Sequence, residues 1–130
     1  MFQPAPPISV VKLEIFVPPS HFPALQQALQ EVDAGHIGAY DSCLSYQEVH
    51  SCWRPLPGAH PFLGQENTLS QEIEYKVEVC CKVEQLDQTL RAIRRVHPYE
   101  EPVVNIIPLW GTGLDLTGLQ QDPSPNGEGA

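Results

Sequence analysis

The strongest constraint on the fold is the segment from Glu72 to Lys82, where polar and apolar residues alternate without interruption over most of its length. The apolar positions are Ile73, Tyr75, Val77, Val79 and Cys81. Because successive side chains of a strand point to opposite faces, this pattern predicts a strand with one face in the core and the other in water. Such a strand is typical of an antiparallel sheet that is covered on one side.

Periodicity predicts four further elements. The expected strands are residues 9–17 and 103–109, and the expected helices are residues 20–33 and 84–96. Ser20 is the expected N-cap of the first helix and Gly35 its stop, since a residue with a hydroxyl favours the start of a helix and glycine favours its end. Pro98 is expected to end the second helix.

The middle of the chain is less regular. Residues 43–53 are expected to form a strand or a hairpin, and the prolines and glycines of residues 54–70 predict a long loop. The resulting order is strand, helix, strand or hairpin, strand, helix, strand. This order predicts an α+β protein with a ferredoxin-like split βαβ sandwich, in which an antiparallel sheet carries two helices on one face.

The chain has 130 residues, which favours one domain. We expect that domain at residues 9–110, after a flexible head at residues 1–8. Residues 111–130 contain five glycines and two prolines, so they are expected to form a tail that is flexible or held by a partner.

Composition excludes several classes of partner. Seven basic and 16 acidic residues give a formal charge of -9, which disfavours nucleic acid and anionic membranes as partners. No apolar run is long enough to span a bilayer and no secretory signal begins the sequence, so a cytoplasmic location is expected. The four cysteines form no CxxC pair and are expected to be reduced thiols.

The motif HPYEEP at residues 97–102 is the main candidate for a functional site. Its ligand types are His97, Tyr99, Glu100 and Glu101, and an imidazole with a carboxylate suits a divalent metal ion or a small ligand. The structural alternative is that His97 only caps the preceding helix and bonds a backbone carbonyl, while the glutamates are solvated. Divalent metal is therefore a candidate ligand, and no cofactor is established.

A second group of candidates lies in the loop at residues 35–43: His36, Tyr40 and Cys43. We expect His97 and one glutamate to face this loop across a cleft, because both segments directly follow a helix. The alternative interpretation is a helix stop and tight turn, with Tyr40 and Cys43 as packing residues. A weaker metal-site hypothesis joins His50, Cys52 and His60.

Three groups of residues together resemble the YqfO group of the Nif-three-like family. They are Gly35-His36-Ile37-Gly38-Ala39-Tyr40 with Cys43, then Arg54-Pro55-Leu56-Pro57-Gly58 with Pro61-Phe62-Leu63-Gly64, and His97-Pro98-Tyr99-Glu100-Glu101-Pro102. One departure stands out, since the family's Gly-x-Gly-x-Phe hairpin is replaced by Val49-His50-Ser51-Cys52-Trp53. Valine is poor at positive φ, so this segment is expected to take a different path.

The resemblance implies a small domain with the fold of the PII signalling proteins and CutA, which longer members insert into a metal-binding α/β protein. It implies a stand-alone domain that acts as a binding or regulatory module and forms a homo-oligomer, with a trimer favoured over a dimer. Trp53 and Trp110 are candidate interface anchors. The alternatives are an interaction module that complements a larger partner and, last, a metal-dependent hydrolase. No triad, carboxylate pair or cofactor fingerprint supplies a catalytic residue, and the family's paired metal ions belong to the larger domain.

Overall fold

A computed structural model describes residues 7–112, which form an α+β domain with four strands and two helices. The elements are β1 (Val10–Val17), α1 (Phe22–Glu31), β2 (Ser45–Trp53), β3 (Ser70–Lys82), α2 (Leu86–Val96) and β4 (Val104–Pro108). A 3₁₀ turn precedes each helix, at Pro19–His21 and Val83–Gln85. Residues 1–6 and 113–130, which hold most of the expected head and tail, lie outside the described residues.

The sheet has the strand order β2-β3-β1-β4, and each neighbouring pair is antiparallel. In the central pair, Val10 lies opposite Lys82 and Val17 lies opposite Tyr75. Both helices cover one face, where buried residues of β1 and β3 meet the apolar sides of α1 and α2. The predicted ferredoxin-like split βαβ fold is confirmed.

The helix layer rests on the alternation that the sequence predicted. Leu13 and Ile15 of β1 and Val77 of β3 are fully buried, and Leu25 and Ile93 of the helices are buried against the same core. Burying an aliphatic side chain of this size contributes about 1.5–3 kcal/mol to folding. No helix within residues 7–112 is long and apolar enough to cross a membrane.

One local prediction needs correction, and the different path expected of residues 49–53 is that of a strand. The expected N-cap, Ser20, lies inside the 3₁₀ turn, and α1 begins at Phe22 without a side-chain cap. The segment that replaces the glycine-containing hairpin is not a turn, because Val49 and Trp53 lie within β2 and pair with Glu74 and Ser70. A β-branched residue fits a strand better than a tight turn, which explains why β2 continues through this segment.

The face of the sheet opposite the helices carries a set of charged side chains on β1 and β3. Lys12 pairs with Glu78 at 3.0 Å, and Lys76 pairs with Glu14 at 3.1 Å. The ion pairs join β1 to β3 across the uncovered face. Because water partly reaches these pairs, each contributes little to stability, but together they keep this face polar.

Gly35 makes a turn that no other residue can make without strain. Its φ is +80°, its N–H donates to the Cys80 carbonyl at 2.8 Å, and its own carbonyl accepts from the Cys43 N–H at 3.0 Å. A Cβ at this position would collide with the Cys43 backbone. The close approach of two backbones therefore explains the glycine that follows α1.

Gly35→Ala should be far more destabilising than Gly38→Ala, and chemical unfolding measures the difference. Both residues have positive φ, but a Cβ at Gly38 would meet open space. Gly38→Ala should therefore cost only the backbone strain, roughly 1–2 kcal/mol. The collision at Gly35 should add about 2 kcal/mol or more. Equal free energies of unfolding for the two variants would contradict the close approach at Gly35.

Candidate functional site

The long connection between β2 and β3, residues 54–69, folds back against the rest of the domain. The Trp53 indole N–H donates to the Leu63 carbonyl at 3.3 Å, and the Asn67 N–H donates to the Pro55 carbonyl at 2.7 Å. The rings of Phe62 and His21 meet edge to face at 5.2 Å, which brings the loop to the start of α1. The loop is therefore an ordered wall and not a loose connection.

His97 is held by both of its ring nitrogens. Nε2 lies 2.6 Å from the Phe16 carbonyl, and Nδ1 accepts a hydrogen bond from the Tyr99 N–H at 3.2 Å. Since Nε2 must donate and Nδ1 must accept, this geometry requires the neutral imidazole with its proton on Nε2. Burial lowers the pKa of His97, which also favours the neutral ring. This arrangement matches the structural alternative, and it leaves neither nitrogen available to a metal ion.

Tyr99 packs into an aromatic cluster. Its ring centre lies 5.9 Å from that of Trp53, 6.1 Å from that of Phe62 and 4.9 Å from that of His97. The hydroxyl oxygen is buried and has no hydrogen-bond partner among the described residues. Burial raises the pKa of Tyr99, and the nearby Glu74 carboxylate raises it further. The hydroxyl is therefore protonated and close to Glu74 without forming a well-shaped hydrogen bond to it.

Glu74 is the candidate site residue that the sequence pattern missed. It belongs to the polar set of β3 that was expected in water, yet it is only 5% exposed. No lysine, arginine or histidine within residues 7–112 lies within ion-pair distance of its carboxylate, although Lys76 on the same strand pairs with Glu14. A buried carboxylate without a cation is costly, so its presence here needs a reason.

These residues surround a space that we name the loop cavity. Its volume is about 710 Å³, and its lining consists of residues 51–59, 61–63 and 99–101 with Phe16, Glu74 and Val103. The walls are mostly apolar, and the charged lining residues are Arg54, Glu74, Glu100 and Glu101. A cavity of this volume with apolar walls and few polar groups has the character of a small-molecule site.

The two glutamates of the motif have different surroundings. Glu100 accepts a hydrogen bond from the His60 N–H at 2.8 Å, and its backbone carbonyl accepts one from the Arg94 guanidinium at 3.1 Å. Glu101 lines the loop cavity and is exposed. Glu100 therefore fastens the long loop to the end of α2, while Glu101 lies at the rim.

The predicted cleft between His97 and residues 35–43 is wrong. Gly35 bonds Cys80, which lies opposite Lys12 on β1, whereas His97 bonds Phe16 on the same strand. Four residues of strand separate these points by roughly 13 Å. Because β1 and β3 are antiparallel, the helices that follow them also run in opposite directions, and their C-terminal ends lie at opposite ends of the sheet.

The three candidates of the 35–43 loop thus lie apart from the loop cavity. Both ring nitrogens of His36 face oxygens at 3.0 Å, from the Asp33 carboxylate and the Gly38 carbonyl. The hydrogen bond with Asp33 and its charge raise the pKa of His36. Tyr40 is 75% exposed, and the Cys43 thiol is 3.6 Å from the Asp41 carbonyl. His36 also lines a second cavity of about 390 Å³, with Cys80 and Lys82.

Within the described residues, no group of three or more His, Cys, Asp or Glu side chains has an arrangement suited to a metal ion. His50 and Cys52 lie on β2 and point to the side of the sheet opposite Trp53, whereas His60 lies in the long loop. The structure therefore does not bring these three residues together as a metal site. Phe62, an aromatic residue in a loop of prolines and glycines, is the sequence signal that could have revealed the wall of the cavity.

Comparison with known proteins gives consistent relatives. No family model matches the chain. The chain is 34% identical to a protein of Halalkalibacterium halodurans that is described as a GTP cyclohydrolase 1 type 2 homolog. The 108 aligned residues cover 83% of this chain and 29% of that protein. A protein of Mycobacterium tuberculosis with the same description is 34% identical over 118 residues, covering 88% and 31%. The chain thus spans less than a third of the length of these relatives.

Solved structures show the same relationship. A Bacillus cereus protein related to NIF3 matches with a TM-score of 0.69 and 27% identity, covering 82% of this chain and 27% of that one. CutA from Synechococcus elongatus matches with a TM-score of 0.58 and 22% identity, covering 83% and 80%. The second similarity extends over most of both chains and shows a shared fold.

His97 should make the domain less stable as the pH falls below about 6.5, the ordinary pKa of histidine. Because the folded pKa is lowered, the unfolded chain binds a proton that the folded chain does not, so stability is present above this pH and lost below it. His97→Gln keeps an N–H donor for Phe16 but does not titrate. The free energy of unfolding, measured between about pH 7 and pH 5, should fall more in the wild type, by about 1.4 kcal/mol per unit of pKa difference.

His36 contributes in the opposite direction, because its raised pKa adds stability that is present below about 6.5 and is lost as the pH rises through the raised value. It is unchanged in both proteins, so its effect cancels when their curves are subtracted. Parallel curves for the wild type and His97→Gln would contradict a neutral buried ring.

Proposed function

Because this chain belongs to the Nif-three-like family, as a PII/CutA-like domain of the YqfO type, we propose that it is a binding and regulatory module whose small ligand occupies the loop cavity. The observation that supports the proposal is the cavity itself, with a volume of about 710 Å³, apolar walls and a few polar groups directed into it. Sites for small organic ligands commonly have this composition.

The ligand that we propose is an organic molecule and not a metal ion. Rings of Trp53, Phe62 and Tyr99 form the walls, and His97, the imidazole of the motif, uses both nitrogens inside the domain. Aromatic side chains bind flat organic groups by stacking, whereas metal ions require several oxygen, nitrogen or sulfur ligands at short distances. Divalent metals remain in the test below as the competing class.

A regulatory role follows from how the cavity is built. The long loop touches the start of α1 through Phe62 and His21, the end of α2 through His60 and Glu100, and the sheet through Trp53. A ligand that packs against this loop would stabilise all three attachments together. The surface formed by the loop would then report ligand binding to whatever contacts it.

An interaction module that complements a larger partner is the second candidate. It is favoured by the length of the relatives, since the chain matches 29% of the Halalkalibacterium halodurans protein and 31% of the Mycobacterium tuberculosis protein. Recovery of the same larger protein from native cytosol with the wild-type chain, and its loss when the loop surface is substituted, would support this candidate.

We also propose that copies of the chain associate, as a trimer rather than a dimer, which the resemblance to PII proteins and CutA implies. Two strands, β2 and β4, lie at the edges of the sheet. Near them, Ile73 is 46% exposed, Tyr46 is 53% exposed and Ile106 is 44% exposed. Edge strands beside apolar side chains pair readily with another chain. Trp53 is occupied inside its own domain, whereas Trp110 is 65% exposed and stays a candidate anchor.

Ligand binding can be localised by the two tryptophans. Trp53 lines the loop cavity and Trp110 does not, so a ligand in the cavity should shift the indole N–H resonance of Trp53 and leave that of Trp110 in place. Phe62→Ala, which removes a wall, should weaken binding about tenfold or more, since a stacked aromatic contributes about 1–3 kcal/mol. Leu69→Ala alters an exposed residue of the same loop that does not line the cavity and serves as the control.

The ligands for this experiment are those that remain with protein isolated without chelators, identified by native mass spectrometry, followed by titration with nucleotides and with Zn²⁺ and Mn²⁺. A compound that shifts only Trp110, or that binds Phe62→Ala as tightly as the wild type, would show that the loop cavity is not the site.

Self-association can be tested by sedimentation at micromolar concentration. Ile73→Lys should shift the population toward monomer, because a charge at an apolar contact beside the β2 edge opposes packing of a second copy. Val83→Lys, at a residue that is 40% exposed and away from this edge, should leave the mass unchanged. A wild-type protein that sediments as a monomer would rule out the proposal.

A further inference from the structure

We propose that the loop cavity selects a flat organic cation, such as an amidinium, a guanidinium or a protonated amino-heterocycle, with Glu74 as its counter-charge. This inference rests on the proposed function, because it names the chemical class of the ligand for the same cavity. It is carried by three features of the described residues: an uncompensated buried carboxylate, a hydroxyl without a partner and a set of aromatic walls.

The carboxylate of Glu74 is the first feature. Glu74 is 95% buried, as its exposure is 5%, and it lines the loop cavity. Elsewhere on the same face of the sheet, Glu14 and Glu78 each have a lysine partner at about 3 Å. No described residue does the same for Glu74. A buried charge is normally kept only when something pairs with it, and a cationic ligand would supply that pairing.

The hydroxyl of Tyr99 is the second feature. Its oxygen is buried and makes no hydrogen bond among residues 7–112, which is rare for a buried polar atom. It lies close to Glu74, and in addition to burial, a side-chain contact with that carboxylate and its charge both raise the pKa of Tyr99, although the geometry is not that of a hydrogen bond. A planar cation with several N–H donors could bond the Glu74 carboxylate and the Tyr99 oxygen at the same time, so one ligand would satisfy both groups.

The walls are the third feature. Trp53, Phe62 and Tyr99 present aromatic rings whose centres lie about 6 Å apart, at 5.9 Å and 6.1 Å from Tyr99. Aromatic faces attract cations and stack on flat groups, so they favour a planar charged head over a spherical ammonium ion.

The charge of the lining points the same way. The lining has three acidic residues, Glu74, Glu100 and Glu101, and one basic residue, Arg54, which is exposed at the rim. One carboxylate oxygen of Glu100 already accepts the His60 N–H. Glu74 therefore leaves the interior negative, while Glu101 and Arg54 lie at the rim with opposite charges, so the interior disfavours a phosphate or carboxylate ligand and favours a cation.

A matched set of probes tests the class directly. Benzamidine, benzamide and benzoate have nearly the same size and shape but are cationic, neutral and anionic. Each is titrated into the full chain while the Trp53 and Trp110 indole signals are followed by NMR. We expect benzamidine to bind at the Trp53 side at least tenfold more tightly than benzamide, and benzoate to bind most weakly, because a charge-assisted hydrogen bond is about twice as strong as a neutral one.

Glu74→Gln separates the role of the charge from that of the cavity. This variant should lose the preference for benzamidine and keep the weaker affinity for benzamide. Glu72→Gln removes the same charge from an exposed position two residues away on β3 that does not line the cavity, so it should retain the preference. Tyr99→Phe should weaken both probes that carry an N–H donor and leave the order of affinities unchanged.

A second readout does not depend on any probe. Without ligand, Glu74→Gln should melt at a higher temperature than the wild type, because it removes an unpaired buried charge, whereas Glu72→Gln should melt at nearly the same temperature. A lower melting temperature for Glu74→Gln would show that the carboxylate is a structural group and would overturn the inference.

The outcomes distinguish the inference from the function on which it rests. If benzamide and benzamidine both shift Trp53 with equal affinity and Glu74→Gln has no effect, the cavity binds ligands but does not select cations, and the inference fails alone. If benzoate binds best, the selection is for anions and the inference fails in the same way. If no probe shifts Trp53 at millimolar concentration, both the inference and the loop cavity as a binding site are contradicted.

Discussion

The antiparallel pairing of β1 with β3 is the constraint on which the rest of the structure depends. It brings Val10 opposite Lys82 and Val17 opposite Tyr75, and so fixes which residues share each end of the sheet. Each helix runs antiparallel to the strand that precedes it, so the two helices end at opposite ends of the strands. One end holds the Gly35 turn and His36, and the other holds His97 and the loop cavity. The domain thus has two chemically different ends and not one shared cleft.

At the cavity end, the HPYEEP motif joins parts of the chain that are far apart in sequence. His97 forms a hydrogen bond with the Phe16 carbonyl near the end of β1. Tyr99 packs on Trp53 and Phe62. Glu100 accepts a hydrogen bond from the backbone of His60. The motif therefore works chiefly as a connector that shapes the wall of the cavity. Its histidine is the residue type most often associated with chemistry, yet both of its ring nitrogens form hydrogen bonds that hold the fold.

The cost of this arrangement falls on Glu74 and Tyr99. A long loop that closes over the end of the sheet leaves a nearly buried carboxylate and a buried hydroxyl without a strong partner among the described residues. Native proteins normally satisfy such groups, and those that are left unsatisfied are often where a ligand binds. This feature is the basis of the cation selectivity that we propose for the cavity.

The sequence by itself determined the layered fold, because that depends on local periodicity. Alternation in residues 72–82, helical spacing before Gly35 and Pro98, and the order of the elements were sufficient to predict the ferredoxin-like sandwich. It also identified the HPYEEP motif, since ligand-type residues stand out between two prolines. Periodicity is a property of neighbours along the chain, so it needs no knowledge of distant contacts.

Only the tertiary structure decided what surrounds each of those residues. Alternation placed Glu74 in water, but a loop that begins more than a dozen residues earlier covers it. The relative direction of the two helices, which the order of elements implies once the antiparallel pairing is applied correctly, separated His97 from residues 35–43. The burial of Glu74 and the bond from His97 Nε2 to the Phe16 carbonyl arise from contacts between segments that are not neighbours in sequence, and no local pattern encodes them.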